Sequence, residues 1–278
     1  MELLTIPSAM QRWSAARHRD GRRVGFVPTM GALHDGHLSL VRIAAESCDD
    51  VVVSIFVNPL QFDQAADFDA YPRPIDDDVA RCEAVGVDAV YAPTAAAMYP
   101  AGFQTHVMPG ALGDVMEGAA RPGHFRGVTT VVTKLFGAVR PDVAVFGEKD
   151  FQQLAVIRRM TADLDLGIEI IGAPIVREPD GLAMSSRNVR LAPADRAAAV
   201  CVPRALDAAV AAARTSQGVA AVVAATAAVV AAEPRARLEY IEVFDPDSLG
   251  LLHDLDRPSR AAIAVWFGDV RLIDNRPL

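Results

Sequence analysis

The stretch RVGFVPTMGALHDGHLSLVRIAA, residues 23–45, reads as one strand–loop–helix unit. Arg23 to Val27 is a short, mostly apolar run, whereas Leu38, Val41 and Ala45 recur at helical spacing. A loop carrying Gly31 and Gly36 lies between them and opens the helix. Such a helix start exposes backbone N–H groups at the positive end of the dipole, and both attract phosphate. Gly31 and Gly36 have the spacing of a Walker A loop, but His37 and Leu38 stand where Lys and Ser or Thr would follow, and G-x-G-x-x-G is absent too. An ordinary P-loop kinase is therefore not expected.

Working outward, the same alternation repeats. Val51–Val57, Val87–Tyr91, Val143–Phe146 and Ile168–Val176 read as nearly all-apolar strands, and His37–Ser47, Pro74–Val85, Val128–Val139 and Phe151–Leu164 as helices. This pattern predicts a Rossmann-like, doubly wound α/β domain over residues 1–176, whose ligands bind beyond the carboxyl ends of the strands. After Val176 the texture changes. The loop REPDGLAMSSRN (177–188) leads to two Ala-rich helical stretches, Pro193–Arg214 and Gly218–Ala232. Strands follow over Leu238–Phe244 and Ala261–Phe267, then a Gly268-Asp269 turn into Val270–Ile273, so residues 177–278 read as a smaller α+β domain.

The 278 residues suit two ordinary domains, and 51% hydrophobic with 22% charged residues is a soluble globular composition. Lys+Arg 27 against Asp+Glu 35 leaves −8, a field that repels nucleic acid and favours a small substrate. Cys48, Cys82 and Cys201 are scattered and odd in number, which fits a reducing cytoplasm better than a disulfide framework. The start MELLTIPSAM lacks the basic and apolar segments of a signal peptide, and the longest apolar stretch, Val219–Ala232, is too short for a membrane span. Neither export nor a membrane partner is expected.

Three segments carry candidate chemistry. His34 and His37 sit three apart at the helix start, where they can donate hydrogen bonds to phosphates without being reliably cationic. The bland alternative is a surface turn with two incidental histidines, and a third reading is half a zinc site, which lacks further ligands at the right spacing. Lys149, in Phe146-Gly-Glu-Lys-Asp150, follows another strand and should emerge on the same sheet edge as His34 and His37. Gly181-Leu-Ala-Met-Ser-Ser-Arg-Asn188 offers two hydroxyls and an Arg fork suited to gripping phosphates, or else a helix cap and linker.

Together these segments resemble the nucleotidyltransferase superfamily shared with class I aminoacyl-tRNA synthetases. Phe26-Val-Pro-Thr-Met-Gly-Ala-Leu-His-x-Gly-His37, Ser54-Ile-Phe-Val-Asn-Pro59 with Gln61-Phe62, Arg121-Pro-Gly-His-Phe-Arg-Gly-Val128, Phe146-Gly-Glu-Lys-Asp150 with Gln152-Gln153, and Asp180–Asn188 are similar, in order, to the pantothenate synthetase (pantoate–β-alanine ligase) family. That resemblance implies that ATP and pantoate form an enzyme-bound pantoyl adenylate plus pyrophosphate, after which β-alanine displaces AMP. It implies an ATP site lined by Met30, Gly31, Ala32, Leu33, His34, Asp35, Gly36, His37, Gly147, Glu148, Lys149, Asp150, Val176, Met184, Ser185, Ser186 and Arg187. His37, His34 and Lys149 would be catalytic, and Gln61 and Gln153 would hold pantoate, with Asn58 nearby. Mg²⁺ would bridge the phosphates, with Asp77 and Asp78 as secondary metal candidates, although an acidic triplet is usually a solvated helix start. His124 and Arg126 would shape the pocket, and the protein would be a homodimer.

The chemistry of the residues agrees with that implication. A carboxylate approaching the α-phosphorus of ATP meets anion–anion repulsion, so the site must supply position and positive potential more than a strong base. Another nucleotidyltransferase would release pyrophosphate without needing an amine, and a nucleotide-binding regulator would need only the phosphate loop. The additional amides of Asn58, Gln61 and Gln153 argue against the regulator.

Overall fold

The structure, a computed structural model, describes residues 1–63, 65–215 and 218–278. It divides into two compact units, Met1–Glu148 with Gln152–Pro174, and Lys149–Phe151 with Ile175–Leu278. Whereas the sequence suggests a boundary at 176/177, the division falls at Pro174/Ile175 and groups Lys149–Phe151 with the second unit.

The first part of the chain runs through β1 (Glu2–Leu4), α1 (Pro7–Arg19), β2 (Val24–Thr29), α2 (Asp35–Ala45) and β3 (Asp50–Ile55). It continues through α3 (Ala65–Asp69), α4 (Ile75–Ala84), β4 (Ala89–Tyr91), α5 (Ala95–Met98), α6 (Glu117–Ala120) and α7 (His124–Val139). Strand β5 (Val143–Gly147), helix α8 (Phe151–Asp163) and β6 (Glu169–Ala173) follow. All six strands are parallel, in the order β1-β4-β3-β2-β5-β6. Alternate side chains feed two cores. Val24 and Phe26 of β2 and Ala144 and Phe146 of β5 pack with Met10, Phe136 and Ile157. Val27, Val143 and Val145 pack with Leu40, Val41 and Cys82. Apolar packing on both faces is why these strands read as apolar runs rather than as alternating ones.

Strand order reverses between β2 and β5, because the chain leaves β2 toward β3 and β4 on one side and later places β5 on the other. In open α/β sheets a ligand binds outside the carboxyl ends of the strands at such a reversal. Residues 30–37 leave β2 at that point, and the end of β5 is Gly147.

The second unit contains α9 (Pro193–Ala198), α10 (Cys201–Thr215), α11 (Val219–Ala231) and the antiparallel sheet β7 (Ala236–Phe244), β8 (Arg260–Phe267) and β9 (Val270–Pro277), in that order. Ile263, Val265 and Phe267 of β8 pack against Leu206 and Val222. The expected single stretch Pro193–Arg214 is two helices, broken at Ala199 and Val200. Pro203 has no amide to donate to Ala199, and its ring crowds that carbonyl, so one continuous helix cannot form. Among the described residues no helix is long and apolar enough to cross a membrane. The architecture is the doubly wound α/β unit with a smaller α+β unit that the sequence predicts.

Candidate active site

The loop after β2 is built from the inside. Gly31 (φ +84°) and Ala32 (φ +49°) are both left-handed, which turns the chain sharply out of the strand. Thr29 Oγ1 donates to the Ser54 carbonyl at 2.7 Å and accepts the Gly31 amide at 3.1 Å. Asp78 of α4 accepts the next two amides, from Ala32 at 2.8 Å and Leu33 at 2.7 Å. The His34 amide donates to His37 Nδ1 at 3.3 Å. The amides of residues 31–34 thus all bond within the protein, which leaves the helix start itself as the place for backbone donors to phosphate. At the start of α2 the His37 amide donates to the His34 carbonyl at 2.8 Å, so the backbone donors left for an anion are those of Asp35 and Gly36.

The half-buried rings of His34 and His37 lie with centroids 4.1 Å apart. Because Nδ1 of His37 accepts the His34 amide, a neutral His37 carries its proton on Nε2 and offers a neutral donor there.

Gln61 is held at both its ends. Its backbone carbonyl accepts from Arg121 at 3.1 Å and from His124 Nδ1 at 2.8 Å, so the His124 proton sits on Nδ1. Its side-chain Oε1 accepts from Asn58 Nδ2 at 3.0 Å, and its Nε2 lies 3.2 Å from Met30 Sδ. The polarity of Asn58 is fixed by backbone groups, as Nδ2 donates to the Gly127 carbonyl (3.1 Å) and Oδ1 accepts the Leu60 amide (3.2 Å). Tyr99 Oη donates to the same Oδ1 at 2.7 Å. All four hydrogen-bonding positions of Asn58 are therefore taken inside the protein, and the residue is 0% exposed. Asn58 is thus corrected from a substrate contact to the residue that turns Gln61 so that Nε2 donates to Met30 Sδ and keeps one further N–H donor.

Gly127 explains how α7 reaches this turn. A Cβ there would stand 2.2 Å from the Leu60 carbonyl oxygen and 2.7 Å from the Gln61 nitrogen, both backbone atoms. Gly127→Ala is expected to destabilise the fold by about 1–3 kcal/mol or more, because α7 and residues 60–61 must separate. A urea denaturation midpoint equal to that of the parent at the same slope would show that the approach is not close. Arg126, one residue earlier, is exposed.

The adjacent glutamines differ. Gln152 is buried, with Nε2 donating to the carbonyls of Leu112 and Val115 and Oε1 accepting the Glu117 amide. Gln153 is half-buried, and its amide has no hydrogen-bond partner among the described residues. Only Gln153 is thus available to a ligand.

In the second unit, the Lys149 side chain is 19% exposed with its Nζ 3.9 Å from Asp150 Oδ2, while the Lys149 carbonyl accepts from Asn275 Nδ2 at 2.9 Å. Val176 accepts the Met184 amide at 3.0 Å, closing residues 177–183 into a tight turn. Arg177 grips buried Asp274 with two bonds of 2.7 and 3.0 Å, and Arg196 pairs with Glu178 and Asp180 at 2.6 and 2.7 Å. Ser185 accepts the amides of Arg187 (Oγ, 3.2 Å) and Asn188 (carbonyl, 2.9 Å), so Ser185, Ser186 and Arg187 sit on an anchored turn.

The acidic pair does not fit a metal. Asp77 is exposed, whereas Asp78 is 1% exposed with both oxygens occupied by amides. Burial pushes the Asp78 carboxyl above its ordinary range, against the pull of the Leu33 and Ala32 amides and of Arg81. Among the described residues no three His, Cys, Asp or Glu gather as metal ligands, which also leaves the histidine pair without a zinc set. Burial pushes Cys82 up to about 12 and Cys201 up to about 11, so neither is a ready thiolate nucleophile.

Comparison with known proteins bears on this arrangement. Residues 2–277 match the family model described as pantoate-beta-alanine ligase. Pantothenate synthetase of Heliobacterium modesticaldum is 51% identical over 99% of this chain and 98% of its own, and that of Geotalea daltonii is 48% identical over 100% and 99%. The crystal structure of pantothenate synthetase from Thermus thermophilus superposes with a TM-score of 0.93 at 45% identity, covering 99% of both chains. That of pantoate-beta-alanine ligase from Francisella tularensis, complexed with beta-gamma ATP and beta-alanine, gives 0.82 at 32% identity over 100% and 97%. With a fold, a strand-order reversal and an ordered motif set of this kind, and with relatives matched over nearly their whole length, the chain belongs to the pantothenate synthetase (pantoate–β-alanine ligase) family of enzymes.

Proposed function

We propose that the chain condenses pantoate with β-alanine through a pantoyl adenylate, releasing AMP and pyrophosphate. The observation that carries this reading is the contact between Gln61 and Met30, which sets an oriented amide beside the loop that ends in His34 and His37. A donor suited to a hydroxy acid thus touches the loop that carries an imidazole pair suited to phosphates.

In this reading a pantoate carboxylate oxygen bonds to the α-phosphorus as the bond to pyrophosphate breaks. His34, His37, Lys149, Ser185, Ser186 and Arg187 donate to the phosphate oxygens as charge redistributes. Met30, Gly31, Ala32, Leu33, Asp35, Gly36, Gly147, Glu148, Asp150, Val176 and Met184 line ATP by motif position. Gln61 and Gln153 hold pantoate. The β-alanine nitrogen then bonds to the acyl carbon, its proton passes to water, and AMP departs with one carboxylate oxygen. No carboxylate of this chain is needed for Mg²⁺, which as a hard cation would be supplied with the ATP phosphates and would neutralise part of their charge. The ligands named for the Francisella relative support ATP and β-alanine as co-substrates. By the same resemblance the protein works in the cytoplasm as a homodimer.

Isotope transfer tests the intermediate. With pantoate labelled by ¹⁸O in its carboxylate, one label should appear in AMP for each pantothenate formed, and no ADP should accumulate. Unlabelled AMP, or ADP as the stoichiometric product, would rule the adenylate out.

A further inference from the structure

We infer that Asp78 is a positioning residue for the imidazole pair, a built-in anion that shapes the loop after β2 in place of a phosphate or a metal. The inference rests on the reading of residues 34–37 as an ATP-phosphate site. Two consecutive amides, Ala32 and Leu33, converge on the two oxygens of one carboxylate at 2.8 and 2.7 Å. Converging backbone N–H groups are the hallmark of an anion-binding concavity. Here the anion comes from the protein itself, with a side chain 1% exposed.

The carboxylate also explains the backbone around it. A Cβ at Gly31 would lie 2.8 Å from Asp78 Oδ2 and 3.0 Å from Ile55, at a φ of +84°. Ala32 follows at +49°, a conformation that costs energy for any residue with a Cβ and persists only where its surroundings hold it. The two bonds to Asp78 act at this strained residue and the next, immediately before the His34 amide that donates to His37 Nδ1. The bond between His34 N and His37 Nδ1, and with it the direction of the His37 donor, thus depends on a loop whose shape Asp78 sets. Asp78 and Cys82, four residues apart, are the buried residues of α4, so the carboxylate lies on the inward face of that helix.

Asp78→Asn and Asp78→Ala test the inference. Asparagine retains one acceptor but turns an N–H₂ toward the other amide, and alanine retains none. Amide hydrogen exchange at Ala32 and Leu33 should accelerate on the order of tenfold or more in both variants, with far-UV circular dichroism unchanged. Calorimetric ATP affinity and kcat/KM for ATP should fall roughly tenfold in Asn and further in Ala, while the KM for pantoate stays within about threefold. The Mg²⁺ concentration giving half-maximal rate should not move. Unchanged exchange at Ala32 and Leu33, or a Mg²⁺ midpoint that rises with activity restored by excess Mg²⁺, would overturn the positioning role. So would ATP parameters within about twofold of the parent. If the parent itself binds no ATP while the exchange difference is present, the positioning of the loop stands and the ATP reading of residues 34–37 falls.

Discussion

Replacing His37 or Lys149 by alanine is expected to lower turnover by on the order of 10²-fold or more, the loss that follows from removing one preorganised donor to developing charge. For His37 the donor is Nε2–H, because Nδ1 is committed to the His34 amide. Alanine removes both the donor and that cap, so a second variant separates the two effects. His37→Asn keeps a side-chain oxygen able to accept the His34 amide, but its shorter amide withdraws the donor. It should melt close to the parent and still turn over slowly. Lys149 has a half-buried side chain whose ammonium lies beside Asp150, and its carbonyl, which alanine retains, is tied to Asn275, so its loss removes a point charge rather than a fold contact. If either alanine variant, shown folded by circular dichroism, turns over within a few-fold of the parent, its assigned role is wrong.

The sheet was readable because helices on both faces make its strands apolar throughout, and because the glycine-rich turn after β2 interrupts them at a recognisable place. The N-terminal elements were not. Strand β1 has three residues, and α1 buries only Met10, Trp13 and Ser14 beneath a polar surface, too weak a stripe to stand out. Asp78 was legible in principle. In Asp76-Asp77-Asp78 it alone shares a helix face with Cys82, four residues on, and so must point inward while Asp76 and Asp77 face water. The polarity of Gln61 was beyond a linear reading, because it depends on Tyr99, 41 residues from Asn58, and on the Gly127 carbonyl, 69 residues away. Types and spacings along a chain indicate which side chains are chemically able. Which end of an amide is left over depends on contacts that only the fold brings together.

Asn58→Asp should therefore be more harmful to pantoate use than Gln61→Ala, although Asn58 touches no substrate in this reading. Asparagine donates to both Gly127 O and Gln61 Oε1. An ionised aspartate can donate to neither, and its new oxygen would face two acceptors at full burial. The local remedy is for the Gln61 amide to rotate, giving Nε2–H to the aspartate and turning Oε1 toward the bound acid. A pantoate oxygen would then meet an acceptor in place of a donor, which is repulsive, whereas Gln61→Ala only leaves the acid short of a partner, at roughly 1–3 kcal/mol. We expect kcat/KM for pantoate to fall on the order of 10-fold to 10²-fold in Gln61→Ala and by about 10²-fold to 10³-fold in Asn58→Asp. The KM for ATP should change little in either. Because burial raises a carboxyl's pKa, acidification should return part of the Asn58→Asp loss, as a protonated carboxyl regains one donor. Gln61→Ala has no group to regain and should show no such recovery. A milder defect in Asn58→Asp than in Gln61→Ala, or an equal loss of ATP affinity, would mean that the amide's direction does not read the acid.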